Sequence, residues 1–148
     1  MGKMTIKIKK LSPAARLPVY GSDFSAGADL CACTDGDVPV ASGETVMIPS
    51  GLAIELPTGY VGLVYARSGL ASKKGLAPAN KVGVIDADYR GEIIIALHNH
   101  SAAPAVVSPG DRVAQLLITP VARAEFIEAD SLSATVRADG GFGSTGQN

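Results

Sequence analysis

Short apolar runs broken by turn residues follow one another along most of this chain. Thr5-Ile6-Lys7-Ile8-Lys9 alternates with period two and predicts an edge strand. Further strands are predicted at Ala28 to Ala32, Thr45 to Ile48, Leu52 to Leu56, Val61 to Tyr65, Glu92 to His98, Ala105 to Val107, Arg112 to Thr119 and Glu125 to Ile127. Pro49, Pro57, Pro78, Pro104, Pro109 and Pro120 punctuate the spaces between runs. Between Gly83 and Gly91 an apolar run ends in Asp86-Ala87-Asp88-Tyr89-Arg90 before a new run begins, which predicts two strands joined by a tight loop. Only Ser68 to Lys74 reads as helical. Many short strands at this spacing predict an all-β sandwich or barrel.

The segment from Arg137 to Gly146 has no strand or helix period. Dense glycine makes it flexible, yet one Arg and one Phe are embedded in it. It reads either as a frayed terminus or as an arm that closes over an anion and a ring. The chain therefore divides into a β domain, 1–136, and a flexible glycine-rich arm, 137–148.

Composition narrows the class. A chain of 148 residues with 47% hydrophobic residues is one globular domain. Aromatics are 5% and Trp is absent, so Val, Ile, Leu and Ala must build the core. A net charge of −1 gives no basic field to hold nucleic acid, so an anionic ligand needs local groups. No run approaches membrane-spanning length, and the first ten residues lack a signal-peptide core; a cytoplasmic location is expected. Cys31 and Cys33 share a strand face and would close a strained ring, so both are expected to be reduced.

Five blocks hold polar residues that strand packing leaves unexplained: 26–30, 66–71, 83–91, 110–116 and 137–146. Asp86, at the end of a buried strand, is poised as a poorly hydrated general base or merely caps the turn. Arg67-Ser68-Gly69 opens the short helix, whose free N–H groups suit an anion; Ser68 is equally a plain N-cap. Gln115 sits in an apolar strand and needs a partner. His98 and His100 share a strand face as potential metal ligands, but no further Cys or His completes a zinc site.

In order and content the five blocks resemble the trimeric deoxyuridine triphosphatases, from about Ala26 to Gly146. Gly-Val-Ile-Asp-Ala-Asp-Tyr-Arg-Gly is the most specific, and Gly-Gly-Phe-Gly supports it. The resemblance implies a distorted jelly-roll homotrimer that hydrolyses dUTP to dUMP and pyrophosphate. By the same resemblance, Asp86 activates the attacking water and Tyr89 packs under the deoxyribose, excluding a 2′-hydroxyl. The backbone of Val84, Ile85 and Asp86, with Asn80 beside it, reads uracil; Ile94 lines the pocket through its backbone. Ser68, Gly69, the backbone near Arg67, and Gln115 hold phosphates. Arg137 reaches the terminal phosphate, Phe142 stacks on the base, and Gly143, Ser144 and Thr145 add substrate contacts. The implied cofactor is Mg²⁺, held by triphosphate and water, with Asp29 nearby through water. Arg67 carries a second implied role, pairing with acids of the core.

The resemblance also implies sites assembled between subunits, one giving the helix and Gln115, another the uracil loop, a third the arm. A mean hydropathy of +0.24 fits apolar surface buried around a threefold axis, with Leu116-Leu117-Ile118 as the candidate stretch. The expected partners are dUTP and two further copies of the chain, with no nucleic acid and no membrane. Two alternatives stay open. A dCTP deaminase of the same fold needs a Glu on the strand after the loop, where Ala96 stands. A non-catalytic trimeric binding module would use the fold alone.

Overall fold

The structure, a computed structural model, describes residues 4–141. Twelve strands and one helix follow in order: β1 (Lys7–Lys10), β2 (Val19–Tyr20), β3 (Ala28–Cys31), β4 (Val38–Val40), β5 (Thr45–Pro49), β6 (Leu52–Glu55), β7 (Tyr60–Tyr65), α1 (Ser68–Lys74), β8 (Leu76–Pro78), β9 (Val82–Ile85), β10 (Ile94–Asn99), β11 (Ala105–Val107) and β12 (Arg112–Pro120). All pairings are antiparallel. The main sheet runs β2-β3-β12-β7-β9, a second runs β5-β10-β8, and β1-β6 and β11-β4 are two-stranded. This is the all-β sandwich that the run spacing predicts, with the distorted jelly-roll form that the resemblance implies.

The core lies between these sheets and is aliphatic. Leu30, Val40, Ile48, Leu52, Leu76, Ile95, Leu97, Val107 and Val113 are fully buried, and among the described residues no aromatic joins the cluster. Each such side chain contributes roughly 1.5–3 kcal/mol by leaving water. Ser50 and Asn99 are buried polar exceptions. Asn99 Nδ2 donates to the carbonyls of Val40 (3.0 Å) and Ala103 (2.9 Å). Its Oδ1 accepts from the backbone N–H (2.9 Å) and hydroxyl (2.7 Å) of Ser101. Asn99→Leu orphans these groups and is expected to lower unfolding free energy by about 3 kcal/mol, read from urea denaturation. An unchanged midpoint would remove Asn99 as the clamp on the β10–β11 turn.

One register row crosses the whole main sheet: Val19, Asp29, Gln115, Tyr65 and Val82 stand side by side. Its neighbour row, Ala28, Leu116 and Val64, is buried. Alternation therefore sends the polar row to the outer face and the apolar row to the core. A bulge in β12 sharpens the division. The register shifts between Arg112 and Ala114, so Arg112 stands opposite Cys31 while Val113 and Ala114 are both buried.

Three sequence expectations are corrected here. Glu125 to Ile127 is not a strand: residues 121–139 are exposed and carry no strand, with Phe126 at 94% and Ile127 at 80% exposure, because no strand among the described residues pairs with them. Leu116 is buried in the chain's own core, so the stretch as a whole does not line an axis; Ile118 is partly buried against the core and Leu117 faces the outer cleft. Pro49, Pro78 and Pro120 end strands rather than separating them; β5 and β8 are edge strands, where a missing N–H is tolerated. The short strands β2, β4 and β8 went unread because two or three residues carry no period.

Candidate active site

The outer face of the main sheet and the start of α1 enclose a cleft of about 700 Å³. Arg67, Ser68 and Gly69 line it with Asp29, Gln115, Arg112, Tyr65 and Lys81. Arg67, not Ser68, holds the N-cap position, and no side chain caps the helix. The first intrahelical bond runs from Ala71 N–H to the Arg67 carbonyl (2.9 Å), which leaves the earlier N–H groups at the cleft without helical acceptors. The C-terminal end turns through Gly75 in the left-handed region (φ 66°), where a side chain would collide with Ser101.

Asp29 anchors two cations. Arg67 Nε donates to Oδ1 at 2.7 Å and Arg112 Nη1 to Oδ2 at 3.1 Å. Arg67 is thus tied to an acid of the sheet, the second role implied for it. Gln115 Nε2 donates to the Ala66 carbonyl at 2.8 Å, which is the partner a buried amide requires. Its Oε1 packs against Gly27, where a Cβ would overlap that oxygen and displace the amide. Gln115 therefore presents to the cleft from a fixed position.

A second cleft, of about 400 Å³, lies on the other side of the sheet edge. Asn80, Val84, Ile85, Asp86, Tyr89 and Ile94 line it, together with Ala96 and Glu92. The backbone N–H of Tyr89 donates to the Asp86 carbonyl (3.1 Å), closing the turn that carries Asp86. Tyr89 folds back so that its hydroxyl donates to the Glu92 carbonyl (2.9 Å), with the ring lying over Gly91, where any Cβ would overlap it. Glu92 Oε1 accepts from Gly51 N–H (2.7 Å) and pins the far end of the loop. Asp86 is exposed in the single chain, not poorly hydrated as its place after an apolar run suggests, because β9 is the sheet's edge strand and the cleft is open.

The predicted site residues thus fall into two groups that one chain does not bring together. Adjacent residues of β7 divide them, Tyr65 facing the first cleft and Val64 the second. Asn80 and Lys81 divide the same way across a turn in which Lys81 takes a left-handed conformation (φ 63°). Arg137 lies in neither cleft; its Nε donates to the Gly140 carbonyl (2.8 Å) on the exposed terminal segment. Phe142, Gly143, Ser144 and Thr145 lie outside the described residues.

Comparison with known proteins decides the family. The dUTPase family model matches residues 14–146. The chain belongs to the dUTPase family. The deoxyuridine 5'-triphosphate nucleotidohydrolase of Syntrophotalea carbinolica is 50% identical over 146 residues, covering 99% of each chain. A mutant dUTPase of Staphylococcus bacteriophage 80alpha, solved with dUpNHpp, superposes at a TM-score of 0.89 with 28% identity, covering 98% of this chain and 100% of that one. A mutant dUTPase from phage phi11 of S. aureus, described as coordinating a structural Mg(II) ion, gives 0.78 and 27%, covering 86% and 98%.

Against this family background, sequence reasoning gave no role to Tyr65, Lys81, Arg112 or Glu92. Tyr65 was legible by alternation along its strand. Arg112 was not, because the bulge that turns it toward Asp29 leaves no trace in the sequence. The cysteines are free, and burial, outweighing the opposing pull of Arg16, raises the Cys31 thiol above its ordinary pKa.

Proposed function

We propose that the chain hydrolyses dUTP to dUMP and pyrophosphate, in sites completed between copies of a homotrimer. The observation that carries this reading is the split site. Anion-holding groups face one cleft and the Asp86 loop faces another, on opposite sides of one sheet. A nucleoside triphosphate needs both, so a site is complete only where the first cleft of one copy meets the second cleft of a neighbour. The exposed Phe126, Ile127, Leu132 and Val136 of the terminal segment supply apolar surface for that assembly.

In this reading β9 recognises the base. As an edge strand it keeps one row of N–H and C=O groups unpaired, and the backbone from Val84 to Asp86 meets the uracil edge. Cytosine exchanges donor for acceptor at that edge and is refused. The Tyr89 ring, fixed by its hydroxyl and by Gly91, offers a flat face to deoxyribose and no room for a 2′-hydroxyl. The free N–H groups at Ser68 and Gly69, with Gln115, hold phosphate oxygens. Asp86 accepts a proton from water as the water oxygen bonds to the α-phosphorus. The bond from that phosphorus to the bridging oxygen breaks, and pyrophosphate departs. Arg137 and Phe142 of the arm cover the terminal phosphate and the base.

The donor set fits Mg²⁺ bound with its substrate. Among the described residues no three His, Cys, Asp or Glu side chains form a metal-holding group. Mg²⁺ suits such a site because it keeps its waters and takes phosphate oxygens. Asp29, with both oxygens accepting from arginines, reaches such an ion only through water. When bound, the ion neutralises triphosphate charge. Removal of dUTP by this route limits uracil in DNA and supplies dUMP for thymidylate synthesis.

Mixed trimers test the split site. Gln115→Leu disables the first cleft and Asp86→Asn the second. Trimers co-refolded from both variants are expected to regain about one quarter of wild-type turnover, because random assembly pairs two intact halves at that frequency. No recovery, with mixed trimers verified by mass, would place both clefts' work within one copy and overturn the proposal.

A further inference from the structure

His98, on β10, and His100, just past the end of that strand, lie away from both clefts with their rings side by side. Their ring centroids lie 4.4 Å apart at 64°. The backbone beneath them is held on both sides: Asn99 N–H donates to the Glu44 carbonyl (2.9 Å) and His100 N–H to the Gly75 carbonyl (2.7 Å). The buried, four-bonded Asn99 side chain sits between them and points the opposite way. His98 Nδ1 lies 2.8 Å from Oγ1 of Thr45, its cross-strand partner. In the tautomer that donates this bond, Nε2 keeps its lone pair for a ligand, the usual arrangement behind a metal-bound histidine.

We propose that His98 and His100 form a two-imidazole chelate for a divalent transition-metal ion, with Cu²⁺ bound most tightly and water completing the coordination. Two imidazoles whose ring centroids lie 4.4 Å apart suit Cu²⁺, Ni²⁺ and Zn²⁺, and the order of affinities favours Cu²⁺. A shared ion would sit ~2.0–2.1 Å from one nitrogen of each ring. Mg²⁺, which takes oxygen ligands, does not compete. The bond from Thr45 acts as the orienting contact. The site is independent of dUTP hydrolysis, since neither histidine faces a cleft.

The test is titration of the full-length protein with CuCl₂ alone, followed by paramagnetic resonance and calorimetry. The expected result is one Cu²⁺ per chain with hyperfine coupling to two nitrogens, unaffected by excess MgCl₂. His100→Gln is expected to weaken binding by about a hundredfold and remove one nitrogen coupling, with pyrophosphate release from dUTP unchanged. Thr45→Val, which keeps both rings, is expected to weaken it about tenfold. Full Cu²⁺ affinity in either variant, sulfur ligation from Cys31 or Cys33, or no stoichiometric binding would overturn the proposal.

Discussion

Asp86→Asn is expected to lower kcat for dUTP by about a thousandfold, the scale of a positioned general base. Trimer assembly and dUTP binding are expected to stay as in the wild type. The structure explains why the two effects separate. Asp86 is exposed, and only its backbone carbonyl is engaged, by Tyr89 N–H. Its carboxylate makes no hydrogen bond or ion pair among the described residues, so an isosteric amide disturbs nothing that holds the fold. Pyrophosphate release reads the turnover, and calorimetry with dUpNHpp reads the binding. Unchanged turnover would remove Asp86 as the base; loss of binding would make it a substrate anchor instead.

Deleting residues 137–148 is expected to leave the melting temperature unaltered and to reduce kcat/KM by about a hundredfold or more, the usual cost of losing a closing element. Among the described residues none beyond Ile118 packs on the core, and Arg137 to Asp139 are exposed. Among the described residues the deletion therefore removes no core contact. What it removes is a guanidinium and a ring carried on a glycine-rich tether. Full activity of the truncated protein would reduce the arm to a frayed tail, and a large fall in melting temperature would make it structural.

Most of the fold was legible because the strands obey their period. The predicted and observed helix coincide, and the predicted strands at Ala105 to Val107, Thr45 to Ile48 and Arg112 to Thr119 differ by at most a residue at each end. The Glu125 to Ile127 run has strand-forming residues but no partner within its own chain, and composition cannot supply one. Register was also out of reach. That Asp29 faces Gln115, and that a bulge turns Arg112 onto the same acid, follows from long-range pairing of β3 with β12. The candidate site residues stand out as motifs, and the resemblance already divides them between subunits; the strand that divides them was out of reach: period two says Val64 and Tyr65 point apart, but only the folded sheet shows what each one faces.

The central claim, a dUTP-specific pyrophosphohydrolase, is tested most directly by measuring pyrophosphate release from dUTP, dCTP, dTTP and UTP, each with Mg²⁺ and with chelator. Release from dUTP alone, abolished by chelator, is the expected result and supports the base, sugar and metal assignments together. Ammonia from dCTP, equal release from UTP, or no reaction with any nucleotide would contradict it.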